Sequence, residues 1–347
     1  MINSESELGR FLEASIAVLP FVALCVLAYR MQNKLSKRVS VYLYLWFLLV
    51  LFNSCIAIMM YSVGFFTDIS SHHKFILIII NVMIPSVVAV VSLGIALLPS
   101  VRRLFGFASD NSSDGGVHTL AFVTVVSFTV LCFLPLLIVG EPLIFLDDLS
   151  LSDSSDMMDC LTPASLLRSD VYDLCWSVVA AFFTVGYGIK RNYHETFERL
   201  GLMRLSRRQV VFAFALAFGL LGVSYVWDNV IQWVWAWRSW PITDESCLEL
   251  LFAPYTSLIG AVVIGVVAGV GEELSIRGVL QPRLGILLPN LLFTALHAFQ
   301  YNWDALLSVF LVGIVLGVIR QRMNTTASVI VHGTYNFVLI MYEVLFV

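Results

Sequence analysis

Charge is what this sequence has least of. Only 13% of its 347 residues are Asp, Glu, Lys or Arg, against 59% hydrophobic residues, and the mean hydropathy is +0.89. A chain of that composition has too little polar surface to be an ordinary soluble domain. It carries no basic face or nucleic-acid fingerprint, so no nucleic-acid partner is expected. The HExxH pattern is missing and the six cysteines follow no metal-ligand spacing, so no motif argues for zinc, and no cofactor is expected. The alternation of barrel strands is absent, as are the matching halves of repeat-built transporters. Residues 1–10 are acidic and polar, the wrong charge for the start of a removable signal peptide.

What is abundant is apolar sequence in long runs. A helix needs roughly 20 residues to cross a bilayer. About ten runs approach or exceed that: 11–29, 41–64, 75–99, 118–140, 171–189, 209–235, 253–280, 285–300, 303–320 and 325–346. Backbone in lipid must satisfy its own hydrogen bonds, so the fold class predicted is all-α, a polytopic transmembrane bundle of about ten spans. With an external N-terminus, 15 basic residues fall in inner loops (Arg30, Arg103, Arg204 and Arg322 among them) and four outside (Arg10, Lys74, Arg168, Arg238), with Arg277 alone inside a span. That bias places both termini outside.

The chain divides into residues 1–200, five spans read as a membrane scaffold, and residues 201–347, read as the functional core with its chemistry in the last four spans. The loop 141–170 is acidic and Ser-rich, but its Asp147, Asp148, Asp153, Asp156 and Asp159 lack calcium-loop order and read as a solvated segment. Residues 190–208 read as an amphipathic interfacial helix that stops at Gly201. Cys25, Cys55, Cys132 and Cys175 lie in spans and are expected to be small buried apolar residues. Cys160 and Cys247 lie in outer loops, where an oxidising compartment allows a disulfide. Asp228 and Asn229, polar residues inside span 209–235, are expected to stabilise a kink or line a cavity.

Three patches break the apolar pattern: Gly271-Glu272-Glu273-Leu274-Ser275-Ile276-Arg277-Gly278, then Phe293-x-x-x-His297, then His332-x-x-x-Asn336. Each ionisable residue near a bilayer centre costs about 2.5–3.5 kcal/mol on insertion scales, so three within six positions demand a reason. Counted at about 1.5 Å per residue from the flanking inner loops, all three patches lie roughly 12–18 Å deep, near mid-membrane. Glu273 and Arg277 share a helix face with the acid first, the favourable order for an ion pair, whereas Glu272 is turned by about 100° and has no such partner. Phe293 packs beside His297 and fixes its ring. Glu272 with His297 is able to hold and deprotonate a water. His332 and Asn336, four apart, can aim two N–H groups at one point as an oxyanion hole. The plainer alternatives are a charge network that only braces helices and an interhelical hydrogen-bond pair.

Taken together in this order, EExxxR, FxxxH and HxxxN resemble the CPBP family of glutamic intramembrane proteases, which includes type II CAAX prenyl endopeptidases and bacterial Abi-type membrane proteins. The wording GEELSIRGVLQPRLG is nearer the bacterial branch, with Ile276 where an aromatic often precedes the arginine. The resemblance implies an intramembrane endopeptidase of the bacterial plasma membrane, open to the cytoplasmic side and working without a catalytic metal. It assigns Glu272 and His297 to water activation, His332 and Asn336 to the oxyanion, and leaves Glu273, Arg277 and Phe293 in support. Its substrates would be membrane-associated peptides or proteins, prenylated or hydrophobic. The rival readings are a non-catalytic scaffold or immunity protein of the same family and a proton-coupled transporter using the two glutamates.

Overall fold

A computed structural model describes residues 4–30, 35–62, 71–105, 115–143 and 163–346. In chain order the helices are α1 (Ser4–Arg30), α2 (Leu35–Ser62), α3 (Ser71–Leu97), α4 (Pro99–Leu104), α5 (Gly115–Val139), α6 (Pro163–Thr184), α7 (Tyr193–Leu200), α8 (Arg207–Arg238) and α9 (Glu245–Phe252). They continue with α10 (Leu258–Leu284), α11 (Leu287–Leu296), α12 (Trp303–Arg322) and α13 (Thr325–Phe346). Each apolar run of the sequence lies mainly or wholly in helix, and no strand occurs among the described residues. Six helices combine the length and apolarity of a membrane span, the segments 38–60 and 116–139 together with α8, α10, α12 and α13. Val18–Arg30, Asn81–Leu97 and Leu287–Phe299 are shorter apolar helices. The run 171–189 is only partly helical: α6 ends at Thr184 and carries Arg168, Asp170 and Asp173. The protein is a polytopic helical membrane protein.

The chain forms two compact units. The first comprises residues 4–26, 163–282 and 303–346. Its densest apolar packing joins α8, α12 and α13 through Ala213, Ala217, Leu220, Val312, Leu316, Ile319, Ala327 and Val331. Small residues on α8 let the branched side chains of α12 sit close, whereas its other face exposes Val211, Phe218, Tyr225 and Trp233. Apolar groups turned outward suit a lipid solvent, where burial against protein brings no hydrophobic gain. At the end of α8, Arg238 lies over Trp237 and Trp240, a cation–π arrangement typical of the membrane boundary.

Also within this unit, α7 begins with a reciprocal cap, Asn192 accepting from Glu195 N–H while the Glu195 carboxylate accepts from Asn192 N–H. It ends, as the sequence predicts, at Gly201, whose φ of +73° is left-handed. A Cβ there would stand 2.7 Å from Thr325 Oγ1, so only glycine fits. Arg199 on α7 donates to the carbonyls of Gly278 and Val279, and the Thr325 hydroxyl donates to Leu200 O. This short helix thus satisfies backbone groups near the end of α10 and is itself bonded to the start of α13.

The second unit comprises residues 27–30, 35–62, 71–105, 115–143 and 283–302. Here α2, α3, α5 and α11 pack together, with Ile56, Met60, Leu143 and Phe299 in one apolar cluster. Asn53 on α2 donates to Asn81 O on α3 at 3.1 Å. Arg283, counted as a loop cation from sequence, is instead buried and bonded to the Tyr29 hydroxyl, over whose ring its guanidinium also lies. The cysteines need a similar correction: Cys132 is buried, but Cys55 and Cys175 lie on exposed helix faces and Cys25 is half-buried. In a span, outward faces meet lipid and need no polar residue, so apolar character does not imply burial. The Cys160–Cys247 pairing and most of the acidic loop lie outside the described residues.

Candidate active site

The EExxxR motif occupies an unusual stretch of backbone. After a regular start at Ser257, whose side chain accepts from Gly260 N–H, α10 widens into two π-helical stretches, Val267–Glu272 and Leu274–Leu280, before returning to α-helix at Gln281. In π-helix the backbone bonds run from i to i+5, and such turns are frequently found at functional sites. Close approach of α13 accompanies the change. A Cβ on Gly269 would lie 2.9 Å from Gly333 Cα, so these two backbones touch where any larger residue would part them.

Glu273 is the centre of the site. Its side chain is fully buried, and Oε1 lies 3.1 Å from Arg277 Nη1 and 3.0 Å from His332 Nδ1. Its other oxygen, Oε2, accepts from the Ser328 hydroxyl. Arg277, equally buried, donates through Nη2 to Gly313 O on α12 at 3.0 Å, and Gln281 donates to Gly317 O one turn further at 2.7 Å. Helices α10, α12 and α13 are therefore tied together through one carboxylate and one guanidinium. An isolated charge at this depth would be costly, but here each is paired and hydrogen-bonded.

Glu272 has a different environment. Its side chain is 37% exposed, and Oε2 stands 3.8 Å from His332 Nε2. That separation is too long for a direct hydrogen bond, but it puts the imidazole between the two glutamates. Because the Glu273 carboxylate can only accept, His332 must donate to it from Nδ1, which fixes the ring orientation. Asn336, one turn beyond His332 on α13, is half-buried, and its amide makes no side-chain hydrogen bond with a described residue. The pairing of Glu273 with Arg277 is the one that the four-residue spacing predicts. The bond from His332 to Glu273 is not predicted by spacing, because it joins two helices.

The FxxxH patch lies in the second unit. His297 follows α11 in a short 3-10 turn, and its Nδ1 is 2.8 Å from Phe293 O. The Phe293 ring packs edge-on at a centroid distance of 4.8 Å, as the spacing predicts, and the Tyr301 ring lies parallel to the imidazole at 5.9 Å. The carbonyl of Phe293 requires a donor, so Nδ1 carries a proton and Nε2 remains available.

Other polar residues of the first unit form a separate set. Asp228 on α8 accepts from Ser308 on α12, Asp304 accepts from the Thr243 backbone N–H at 3.0 Å and hydroxyl at 2.6 Å, and Asn229 donates to Tyr225 O at 2.7 Å. Asp228 is thus a tie between helices, and α8 runs unbroken from Arg207 to Arg238.

Sequence reasoning missed Ser328. A serine in an apolar helix has no motif value, and only packing shows that its hydroxyl meets a carboxylate. Arg199 was also missed as a cap for α10, although its place in a basic segment before Gly201 was visible.

Residues 254–338 match the family model described as type II CAAX prenyl endopeptidase, Rce1-like. No curated protein and no solved structure matches the chain. The matched residues include all three motifs and the whole of the Glu272–Glu273–Arg277–Ser328–His332 cluster. Over this stretch the chain is similar to that family, in agreement with the resemblance to the CPBP family.

Proposed function

We propose that the chain is a glutamic-type intramembrane endopeptidase acting on membrane-associated peptides with prenylated or hydrophobic ends. Residues 1–200 serve as scaffold and 201–347 as the protease core. The observation that carries the reading is the contrast between adjacent acids: Glu273 is buried and fully engaged, whereas Glu272 is partly exposed beside an oriented imidazole. An engaged carboxylate is a poor base, and a partly exposed one can meet a water.

In the proposed reaction Glu272 takes a proton from water as its oxygen attacks the scissile carbonyl carbon. The resulting oxyanion accepts from Asn336 and from Nε2–H of His332 in its imidazolium form, whose other N–H is held by Glu273. Collapse breaks the C–N bond, and the proton on Glu272 passes to the leaving amine. His297 takes part in water activation on the strength of its motif alone. No step requires a metal. The basic-residue bias supports both termini outside and access from the cytoplasmic face, and the wording of the first motif supports a plasma membrane of bacterial type.

The test is cleavage of an internally quenched farnesylated peptide by the purified full chain, with a parallel arm treated with chelator. Cleavage with unchanged rate under chelation is expected. Absence of cleavage of any membrane-associated peptide, with proton-coupled uptake in proteoliposomes, would favour a transporter instead. Loss of activity on zinc removal and its return on re-addition would overturn the metal-free mechanism.

A further inference from the structure

Several hydroxyl groups in the helices of this protein bond back to their own helix. Ser54, Ser86, Thr124, Thr129, Ser275 and Thr294 each donate to the carbonyl four residues earlier on their own helix. That bond is the default for a hydroxyl with no better partner in an apolar setting. Ser328 departs from it: fully buried, it donates to Oε2 of Glu273 on another helix, with only a long 3.4 Å contact to Leu316 O besides.

The consequence for Glu273 follows from its two oxygens. Oε1 serves both Arg277 and His332, so the carboxylate is held in an orientation that gives both partners the same atom. Without a donor on Oε2, that oxygen would be buried and unsatisfied, and rotation of the carboxylate would offer Arg277 and His332 one oxygen each. The imidazole would then follow, and Nε2 would leave its place 3.8 Å from Glu272. Ser328 lies one turn before His332 on α13, so both donors reach Glu273 from one helix face.

We propose that Ser328 is a positioning residue for peptide hydrolysis: its hydroxyl sets the Glu273 carboxylate so that His332 is held through Nδ1–H with Nε2 directed toward Glu272. The proposal rests on the endopeptidase reading for its kinetic consequence, but the ring geometry it asserts can be observed without turnover.

The experiment compares Ser328→Val, which keeps the shape of threonine without a hydroxyl, with Ser328→Thr, which restores the hydroxyl. Full-length protein in detergent, labelled with 15N-histidine, is assayed with the farnesylated peptide and by imidazole 15N spectra, the His332 signals being identified by their loss in His332→Gln. Ser328→Val should lower kcat by about tenfold or more, as expected for loss of a hydrogen bond to a charged group, with KM changed less than about twofold. Ser328→Thr should recover most of kcat. In the spectra, wild type and Ser328→Thr should share one His332 state with Nδ1 protonated, and Ser328→Val should lose it. Unchanged His332 signals in Ser328→Val overturn the proposal, as does an equal loss of kcat in both variants with unchanged signals, which would mark a purely steric effect. If wild type cleaves no peptide, the endopeptidase reading fails separately, and the spectra still decide whether Ser328 positions the ring.

Discussion

Two polar sets lie within the same helical unit and are built in opposite ways. Around Glu273, an arginine from its own helix and a histidine and a serine from α13 converge on one carboxylate, and a second carboxylate stands just beyond the histidine. At Asp228 and Asp304 the bonds are pairwise: one serine to one aspartate, one threonine to the other. The first set holds two acids and one arginine, so it carries a formal charge of −1 with His332 neutral and 0 with His332 protonated. The second set offers its acids only neutral donors. Convergence with compensating charge is what chemistry in a membrane requires, whereas pairwise ties suffice to hold helices together.

The comparison can be broken at four points. Glu272→Gln should cut peptide turnover by about 10²–10⁴, the span of lost base catalysis, while thermal unfolding in detergent stays at the wild-type midpoint. A Glu272→Gln protein with normal turnover would remove the distinction between the two acids. Glu273→Gln acts on the other member of the pair. It leaves Arg277 buried without its counter-charge, and breaking such a pair costs about 3–5 kcal/mol. Its unfolding midpoint should therefore fall sharply, and a stable but inactive Glu273→Gln would exchange the two roles.

Asn336→Ala should lower kcat by about 10²–10³ with little change in KM, as for loss of one oxyanion donor. A raised KM with kcat unchanged would instead place Asn336 in substrate binding. The smallest effect belongs to the pairwise set. Asp228→Asn keeps an acceptor for Ser308 and should change stability by about 1 kcal/mol or less, with turnover unaffected. A large loss of turnover there would show that the second set is also part of the reaction.

Much of this arrangement is legible in the sequence, and the limits have physical causes. Apolar runs in a chain with little charge have to be helices, so the fold class follows from composition. The Glu273–Arg277 pair and the Phe293–His297 packing each lie within four residues on one element, where spacing translates directly into contact. Gly201 announces the end of α7. What spacing cannot give is the partner on another helix: Ser328 reaches Glu273 across 55 residues, and Arg283 reaches Tyr29 across 254. Nor does it show that Leu287–Phe299 packs in one compact unit while the other two motifs lie in the other. Asp228 alone suggests a kink or a cavity lining, because a lone aspartate in a span offers no hint of Ser308, 80 positions away.

The widened turns of α10 have a bearing on how this segment tolerates changes in length. A residue removed between Gly265 and Glu272 could be absorbed by tightening π-helix to α-helix, so the helix itself would survive. The acids would largely keep their bearing too: a π turn holds about one residue more than an α turn, so losing one there leaves the flanking helix in phase, whereas the same loss from regular α-helix would turn Glu272 and Glu273 by about 100° off the face that meets His332 and Ser328. Substitutions along the lipid-facing side of α10 alter only what the bilayer touches. A single-codon deletion in the widened turns should therefore leave the acids on His332 and Ser328, whereas one in a regular α-helical turn just before them should not.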